Sequence, residues 1–415
     1  MKQAIGQSAP RIFTALLLAA LAAPALMAQR TETMDAVVVP QNRITMRDLG
    51  WPPVDVIPED ENGITSLVVA PGGSIYGGTT GFQAHLFVLK PAGALVRPLG
   101  KIPGAQSIHH ALVAPEDGMI YFGTSLWNRG RLDQRGKDIP GAYKGFPGGH
   151  LYRFDPAEEE KSRILTHWAD PARDCPGLTD LGIPVAGDGV HALVGKGDEL
   201  YGVSFPGGVF FVFDIAKRAV SFRQAICGDP IAENPYRSVP RDLVIDPDGN
   251  VWGTGDYGKF FRYDPAAKKI AQLDIALPCL PGREFMNVVD SFALAADGKI
   301  YGGGSDGYVF CLDPKSASVR NLGKPLWQKR IRGLAAGSDG NVYGVGGEEM
   351  GIARLFVYRT ASKEFEVLGL IEANHPPYFN WLANEFDAMV TGRDGTIYIG
   401  ENSRRAHLFI FCPWQ

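Results

Sequence analysis

The chain has 415 residues, of which 41 are basic and 45 acidic, so its formal net charge is −4. An acidic balance of this kind argues against general nucleic-acid binding, because affinity for a phosphate backbone comes from an excess of Lys and Arg. An anionic ligand would therefore have to meet a local cluster of basic side chains.

The N-terminus predicts a secretory signal peptide over residues 1–28. Lys2 and Arg11 precede an apolar run at 12–25, and small residues end the segment, among them Ala25 and Ala28. The run is too short and too rich in alanine for a stable membrane span, and we find no later apolar segment that could cross a membrane. We expect the mature chain, 29–415, to be secreted or periplasmic. Its net charge changes from −4 to −6, because Lys2 and Arg11 are the only charges removed.

A phrase that occurs seven times organises the rest of the chain. Its first half is a small turn followed by an aromatic strand: APGGSIYGG (from Ala70), APEDGMIYFG (Ala114), GKGDELYG (Gly195), DPDGNVWG (Asp246), AADGKIYGG (Ala295), GSDGNVYG (Gly337) and GRDGTIYIG (Gly392). Its second half is another aromatic strand: HLFVLKP (His85), HLYRFDP (His150), VFFVFDI (Val209), KFFRYDP (Lys259), YVFCLDP (Tyr308), RLFVYRT (Arg354) and HLFIFCP (His407). A repeat of about 50 residues made of strands and turns indicates a repeat architecture whose units bury their faces on one another.

The repeat predicts an all-β, seven-bladed β-propeller in a single domain over 29–415. Each blade should have four antiparallel strands, A to D from the channel outward. The last copy ends just after strand C, whereas ITMRDLG at 44–50 matches the strand D segment VRNLG before any strand A has begun. We therefore expect the N-terminal strand near 44–50 to complete blade 7 and remove its exposed edge.

One column of the repeat is predicted to line the mouth of the central channel. It lies eleven residues before the aromatic residue of strand B and comprises Thr65, His110, Val190, Arg241, Asp290, Arg332 and Asp387. The starts of the A strands converge at this mouth in a propeller. His, Arg and Asp side chains are costly there unless they are hydrated or paired. The column thus predicts a ligand site or, alternatively, a self-neutralising ring of ion pairs.

Polar and aromatic residues near the column extend the candidate site. Those beside it or in the connections leading to it are His109, His191, Tyr236, Arg237, Asn287, Arg330 and Glu385. Blade 2 also has a long B-to-C connection at 125–149, with Trp127 and Tyr143. Long insertions on a rigid ring are typical binding loops. Arginines together with aromatic rings suit a carbohydrate that bears carboxylates or sulfates.

His85, His150 and His407 share one position at the start of strand C, which indicates a structural role with each imidazole bonded to neighbouring backbone. His150 alone follows the long loop and is retained as a functional candidate. Metal-binding spacings such as His-x-x-x-His or Cys-x-x-Cys are missing, so no cofactor is predicted, although a structural or channel divalent cation stays open. In an exported protein, one disulfide between neighbours among Cys175, Cys227 and Cys279 is plausible.

The run SIHHALVAPEDGMIYFGT, followed after a loop by FPGGHLYRFDP, resembles seven-bladed propeller polysaccharide lyases, such as those that cut ulvan or rhamnose–glucuronate linkages. The blade 2 histidine, the PGGH phrase and the later arginines carry the resemblance. Such lyases often have a second histidine after strand B of this blade, where the present chain has Thr124 and Ser125. The resemblance implies an anionic polysaccharide or oligosaccharide as the partner.

The implied reaction is β-elimination at a uronic acid. Arg241 or Arg332 would neutralise the C6 carboxylate, so that His110 could remove the C5 proton, with His109 and His150 as further candidates. Tyr143 or Tyr236 would protonate the leaving oxygen. Two alternatives from other classes stay open: a hydrolase or lactonase with a divalent ion on Asp290, Asp387 and Glu385, and a non-catalytic carbohydrate-binding propeller.

Overall fold

The computed structural model describes residues 37–49, 57–90, 93, 96–126, 143–162, 173–228, 238–347, 352–375, 379–403 and 405–415. The predicted signal peptide and the candidate residues Trp127, Tyr236 and Arg237 lie outside these ranges. Within them, none of the helices has the length and apolar character that a membrane crossing requires.

Seven four-stranded antiparallel sheets form the blades of a β-propeller, which confirms the predicted fold. In the order A, B, C, D, blades 1 to 4 are Gly63–Val69, Ile75–Thr80, His85–Leu89, Arg97–Lys101; Leu112–Val113, Ile120–Gly123, Leu151–Phe154, Leu178–Gly182; Gly189–Lys196, Glu199–Phe205, Val209–Asp214, Ala219–Ala225; and Val244–Ile245, Val251–Thr254, Lys259–Asp264, Lys269–Ala276. Blades 5 to 7 are Val289–Leu294, Ile300–Gly304, Val309–Asp313, Ser318–Gly323; Ile331–Ala336, Val342–Gly346, Arg354–Arg359, Glu364–Leu370; and Phe386–Thr391, Ile397–Glu401, His407–Phe411, Ile44–Asp48.

The connections contain a few short elements. A hairpin of Glu372–His375 and Phe379–Leu382 lies between blades 6 and 7, and 3-10 turns occupy Glu59–Glu61, Pro156–Ser162, Asp256–Gly258 and Glu284–Met286. Because the strands of each blade alternate in direction, the B-to-C and D-to-A connections share the side of the ring on which the A strands begin. We call this side the mouth face.

In blades 2, 4 and 6, the turn aspartate and the strand B aromatic of the repeat form one hydrogen-bonded unit. In blade 2, Asp117 accepts the backbone N–H of Met119 (3.0 Å) and the hydroxyl of Tyr121 (2.7 Å). Asp339 in blade 6 does the same for Asn341 and Tyr343, and Asp246 in blade 4 accepts the indole N–H of Trp252. The turn thus fixes the aromatic ring that follows it four to six residues later.

The glycine after that aromatic makes room for the second half of the phrase. A Cβ at Gly77 would lie 2.0 Å from the ring of Phe87, and one at Gly202 would lie 2.2 Å from the ring of Phe211. The strand C phenyl ring therefore packs directly on the strand B backbone. These rings are fully buried and belong to the core between adjacent blades.

The N-terminal strand closes the ring, as expected. Ile44–Asp48 pairs antiparallel with His407–Phe411, in a register that sets Asp48 opposite His407. The His407 ring contacts Asp48 (3.0 Å) and Glu401 (2.8 Å). Burial lowers the pKa of His407, but the two carboxylates outweigh burial and raise it. A charged pair therefore joins the two ends of the chain at the seam.

The cysteines form no disulfide with one another, so the expected bridge is wrong. Cys175 packs in the core between blades 1 and 2, and Cys227 packs in the core between blades 3 and 4. Cys175 and Cys227 thus belong to different inter-blade cores. Their even spacing along the chain reflects the period of the ring.

The closing strand provides a test of the closure. Ile44 is 3 % exposed within the core of blades 6 and 7, whereas its neighbour Thr45 points to solvent. We expect Ile44→Ala to lower the free energy of unfolding by about 2–5 kcal/mol and Thr45→Ala to change it little, measured by urea unfolding. Deleting residues 36–52 should abolish cooperative unfolding, and an unchanged melting curve would refute the closure.

Candidate functional site

The starts of the A strands bring the charged column together around one carboxylate. Asp387 Oδ1 accepts hydrogen bonds from Arg241 Nη2 (2.5 Å) and Arg332 Nη1 (2.9 Å), and Oδ2 accepts one from Asn402 (3.1 Å). His110 Nε2 lies 3.5 Å from Asp387 Oδ1. Side chains from blades 2, 4, 6 and 7 therefore meet at Asp387.

A second carboxylate extends this arrangement. Asp290, fully buried, binds the guanidinium of Arg330 through both oxygens, with Nε at 2.6 Å from Oδ2. Arg241 Nε lies 3.7 Å from Asp290, and Arg332 Nη2 lies 3.6 Å from Glu385. We call the seven residues of this network the hub: His110, Arg241, Asp290, Arg330, Arg332, Glu385 and Asp387. Three arginines face three carboxylates, which is the ion-pair ring that the sequence left as an alternative.

The charges of the hub hold one another ionised. Burial would raise the pKa of Asp387, but Arg241 and Arg332 more than offset it and hold the pKa well below its usual value. Burial opposes the charge on Arg332, whereas Asp387 and Glu385 outweigh burial and raise its pKa. Burial, together with the neighbouring arginines, lowers the pKa of Arg241, whose guanidinium nonetheless stays charged.

A stack of aromatic rings borders the hub on the side of blades 2 and 3. The rings of His109 and His191 are parallel to within 23° with centroids 4.1 Å apart, and His191 stacks on Phe205 at 5.0 Å. Both histidines are 6 % exposed, and neither Nδ1 has a hydrogen-bond partner among the described residues. Burial holds both pKa values well below the usual value, and the positive charge of Arg241 contributes in the same direction. They form a neutral wall beside His110.

Tyr143, predicted as an acid, supports this wall from behind. Its hydroxyl lies 3.0 Å from Ser125 Oγ, and its ring meets Phe146 and Phe205 edge to face. Phe205 therefore contacts both Tyr143 and the histidine stack. Ser125 stands where the resemblance leads one to expect a second histidine, and it orients the tyrosine hydroxyl.

The structure places His150 away from the hub. Its Nδ1 pairs with Asp180 at 2.9 Å, between strands C and D of blade 2, and its side chain is 35 % exposed. His85 pairs likewise with Glu61 at 2.8 Å. The expectation of imidazole–backbone bonds is therefore wrong, because each of these histidines binds a carboxylate. The three strand C histidines share a different contact: the backbone N–H of each donates to a side chain at the end of strand B. The acceptors are Thr79, Thr124 and Glu401.

Three further members of the sequence-derived set have structural contacts. Asn287, 1 % exposed, donates to the carbonyl of Leu277 (3.3 Å) and so fixes the connection into blade 5. Thr65 donates to the carbonyl of Ile108 (2.8 Å), and Val190 packs against Gly123. These contacts hold adjacent blades together at the mouth.

Sequence reasoning missed Asp242 and Asn402. Asp242 accepts the backbone N–H groups of Leu243 and Phe292, both at 2.8 Å, and burial raises its pKa to about 6. Asp242 lies next to Arg241 in the sequence, but the predicted column contains only one residue from each blade and therefore omits it. Asn402 follows strand B of blade 7, and only the folded ring shows that it reaches Asp387.

The metal alternative finds little support in this geometry. Asp290, Asp387 and Glu385, its proposed ligands, each contact an arginine. Within the described ranges no three His, Cys, Asp or Glu side chains are grouped closely enough to hold a metal ion.

Comparisons with known proteins show the fold. No protein-family model and no curated protein matches the chain. A streptogramin B lyase matches with a TM-score of 0.59 at 12% identity, over 89% of this chain and 98% of that one. Virginiamycin B lyase from Staphylococcus aureus matches at 0.58 and 10% identity, over 88% and 98%. The extracellular domain of a one component system from B. thetaiotaomicron matches at 0.55 and 14% identity, over 89% of this chain and 40% of that one.

The buried histidine stack predicts a loss of stability in acid. Both folded pKa values lie below the unfolded value of about 6.5, so the unfolded chain binds more protons below that pH. The contribution is complete above pH about 6.5 and is lost below it, by at most about 1.4 kcal/mol per pH unit for each histidine. His191→Phe keeps the stack and should reduce the slope of unfolding free energy against pH, measured by urea titration. An identical slope would contradict the assignment.

The central carboxylate gives a second prediction. Asp387→Asn leaves Arg241 and Arg332 without their shared counter-ion, and we expect it to lower the free energy of unfolding by about 3–5 kcal/mol. Asp274, whose side chain is 99 % exposed beside Lys259, is the matched control. Asp274→Asn should cost less than about 1 kcal/mol. Equal effects of the two substitutions on the free energy of unfolding, measured in urea, would show that the ion pairs of Asp387 do not stabilise the fold.

Proposed function

We propose that this protein is a carbon–oxygen lyase that cleaves a uronic-acid-containing saccharide by β-elimination at the mouth of the propeller. The observation that carries the proposal is the contact of His110 Nε2 with Arg241 Nη2, at 3.2 Å. This contact sets a candidate base beside a candidate carboxylate-binding group. The His110 side chain is 11 % exposed, so it borders the mouth without being fully enclosed.

Arg241 Nη2 and Asp387 Oδ1 both lie close to Nε2 of His110, at 3.2 Å and 3.5 Å. A guanidinium only donates hydrogen bonds, so the Arg241 contact is a hydrogen bond only when Nε2 carries no proton. The neutral histidine stack shields the other side of His110 from solvent. A bound carboxylate that draws Arg241 toward itself would release the Nε2 lone pair to the substrate.

The reaction then follows the ordinary course of an elimination. Arg241 stabilises the negative charge that develops on the carboxylate as His110 takes the C5 proton. The electron pair of the C5–H bond forms the C4–C5 double bond, and the C4–O bond breaks. Its electrons leave on the glycosidic oxygen, which takes up a proton.

That last proton comes from a tyrosine or from His110. The Tyr143 hydroxyl is engaged by Ser125, and its ring lies behind Phe205, so Tyr143 would have to turn to serve. Tyr236 lies outside the described residues and stays a candidate. Alternatively, His110 itself returns the proton, if both bonds are cleaved on the same face of the sugar.

The names of three structural neighbours support this proposal. Two of the structural neighbours are named lyases, and a third is a catalytically inactive histidine-to-alanine virginiamycin B lyase with quinupristin, at 10% identity. Those names speak for the neighbours' own chemistry. They make a histidine-dependent elimination on this fold a reasonable proposal for the present chain. We further infer that residues 1–28 direct export, in keeping with the extracellular domains among the neighbours.

One observation favours a second candidate, a non-catalytic carbohydrate-binding propeller. Every arginine of the hub already contacts a hub carboxylate, so none offers an uncompensated charge to a ligand. In that case the hub serves stability, and ligand recognition depends on the surrounding connections. The extracellular domain of a one component system is among the structural neighbours, which suits this candidate.

The lyase is tested by the ultraviolet absorbance of the unsaturated product on uronate-containing polysaccharides. We expect wild-type protein to produce it and His110→Ala to lower the rate by about 100-fold or more, since a general base contributes about that much. His150→Ala, a histidine of blade 2 outside the hub, should keep the wild-type rate. Full activity of His110→Ala would remove His110 from the mechanism. Retention of the polysaccharide without unsaturated product would favour the binding propeller.

A further inference from the structure

Six large apolar side chains are exposed on the mouth face over blades 4, 5 and 6, in B-to-C and D-to-A connections. We call them the apolar arc: Tyr257, Leu280, Phe285, Met286, Trp327 and Ile352. The proposed chemistry uses none of them. Single exposed apolar residues are ordinary, but several along one rim of a candidate site indicate an interaction surface.

Trp327 is held out by a rigid frame. Its side chain is 66 % exposed, whereas Leu326 before it is 2 % exposed and Gln328 after it is 4 % exposed. Gln328 donates to the carbonyl of Ile352 (3.0 Å), which ties the connection to blade 6. The indole N–H of Trp327 makes no hydrogen bond to the described residues. The ring is thus presented to solvent between two buried neighbours.

A strained turn presents the aromatic residues over blade 4. Tyr257, half exposed, has a φ of 59°, in the left-handed region that a bulky residue rarely occupies. Its turn packs against the 3-10 turn Glu284–Met286, in which Ser238 Oγ donates to the carbonyl of Phe285 (3.0 Å). Strain of this kind persists where the surroundings impose it, often at ligand sites.

A buried carboxylate joins the two parts of the arc. Asp306, 2 % exposed in the B-to-C turn of blade 5, accepts the backbone N–H of Leu280 (3.0 Å) and contacts Arg283 Nε at 2.7 Å. The same turn packs on the backbone of Gln328, next to Trp327. Three residues after Trp327, Arg330 enters the hub and binds Asp290. The arc residues therefore lie on turns that contact one another, and the turn of Trp327 leads directly to Arg330 of the hub.

We propose that the apolar arc is a row of saccharide subsites, which binds the sugar units beyond the one that reacts at His110. This inference rests on the proposed saccharide substrate. Tyr and Trp rings combine an apolar face with a polar edge, and they bury much area at little conformational cost. Tyr257, Phe285 and Trp327 supply exposed rings of the kind on which the apolar face of a pyranose can pack.

The test uses His110→Ala protein, so that the ligand is not consumed, and calorimetric titration with ulvan disaccharide, tetrasaccharide and hexasaccharide. Adding Trp327→Ala should weaken hexasaccharide binding by about fivefold to tenfold, which corresponds to the loss of one aromatic contact. Disaccharide binding should stay unchanged. Trp414, 55 % exposed just after strand C of blade 7 and so on the opposite face, is the matched control. Trp414→Ala should leave both affinities unaltered.

Three outcomes would overturn the arc: equal hexasaccharide affinity with and without Trp327, an equal loss for disaccharide and hexasaccharide, or a change of oligomeric state alone on removal of Trp327. Failure of the lyase proposal has a different signature. If wild-type protein cleaves the polysaccharide and Trp327→Ala leaves hexasaccharide affinity unchanged, the subsites are refuted and the lyase proposal stands. If Trp327→Ala weakens hexasaccharide binding but wild-type protein does not cleave, the arc is a binding surface and the lyase proposal is refuted.

Discussion

The carboxylate of Asp387 is the interaction on which the mouth of this propeller depends. It is 2 % exposed and is shared by Arg241, Arg332 and Asn402, with His110 close by. Neighbouring blades pack through apolar faces, whereas the contact of Arg241 with Asp387 joins blades 4 and 7, which are not neighbours in the ring. A buried carboxylate with several guanidinium partners is stable because each charge is compensated at short range. Removing any one partner leaves the others buried with an unbalanced charge.

This constraint decides what the mouth can do. The hub arginines are fixed by carboxylates, so a ligand must compete for Arg241 rather than meet a waiting cation. The neutral wall of His109 and His191 adds no charge and shields His110. The result is a polar floor with little net charge, bordered by an aromatic wall over blades 2 and 3 and by the apolar arc over blades 4 to 6.

The sequence predicted the fold because the repeat expresses local physics. Each blade contains its own turn, its own strand B aromatic and the glycine against which the next phenyl ring packs. The structure of a blade can therefore be predicted from one copy of the repeat. Closure by residues 44–48 was also readable, since a strand D was missing at one end and present at the other. The column of His110, Arg241, Asp290, Arg332 and Asp387 followed from the same alignment, because equivalent positions in a ring converge on its axis.

The partners within that column could not be read in this way. Pairing across the channel depends on side-chain reach and on which guanidinium lies nearest, and neither is encoded by repeat position. The same limit explains the cysteines, whose even spacing marks successive blades rather than a bridge. It also explains His150, which pairs with Asp180, whereas His85 at the same repeat position pairs with Glu61. Asp242 could not be predicted for a related reason. Its raised pKa comes from burial at the start of strand A, and burial depends on the folded ring. The repeat therefore determines where a residue lies in the ring, and departures from the repeat have to be judged by the contacts they make.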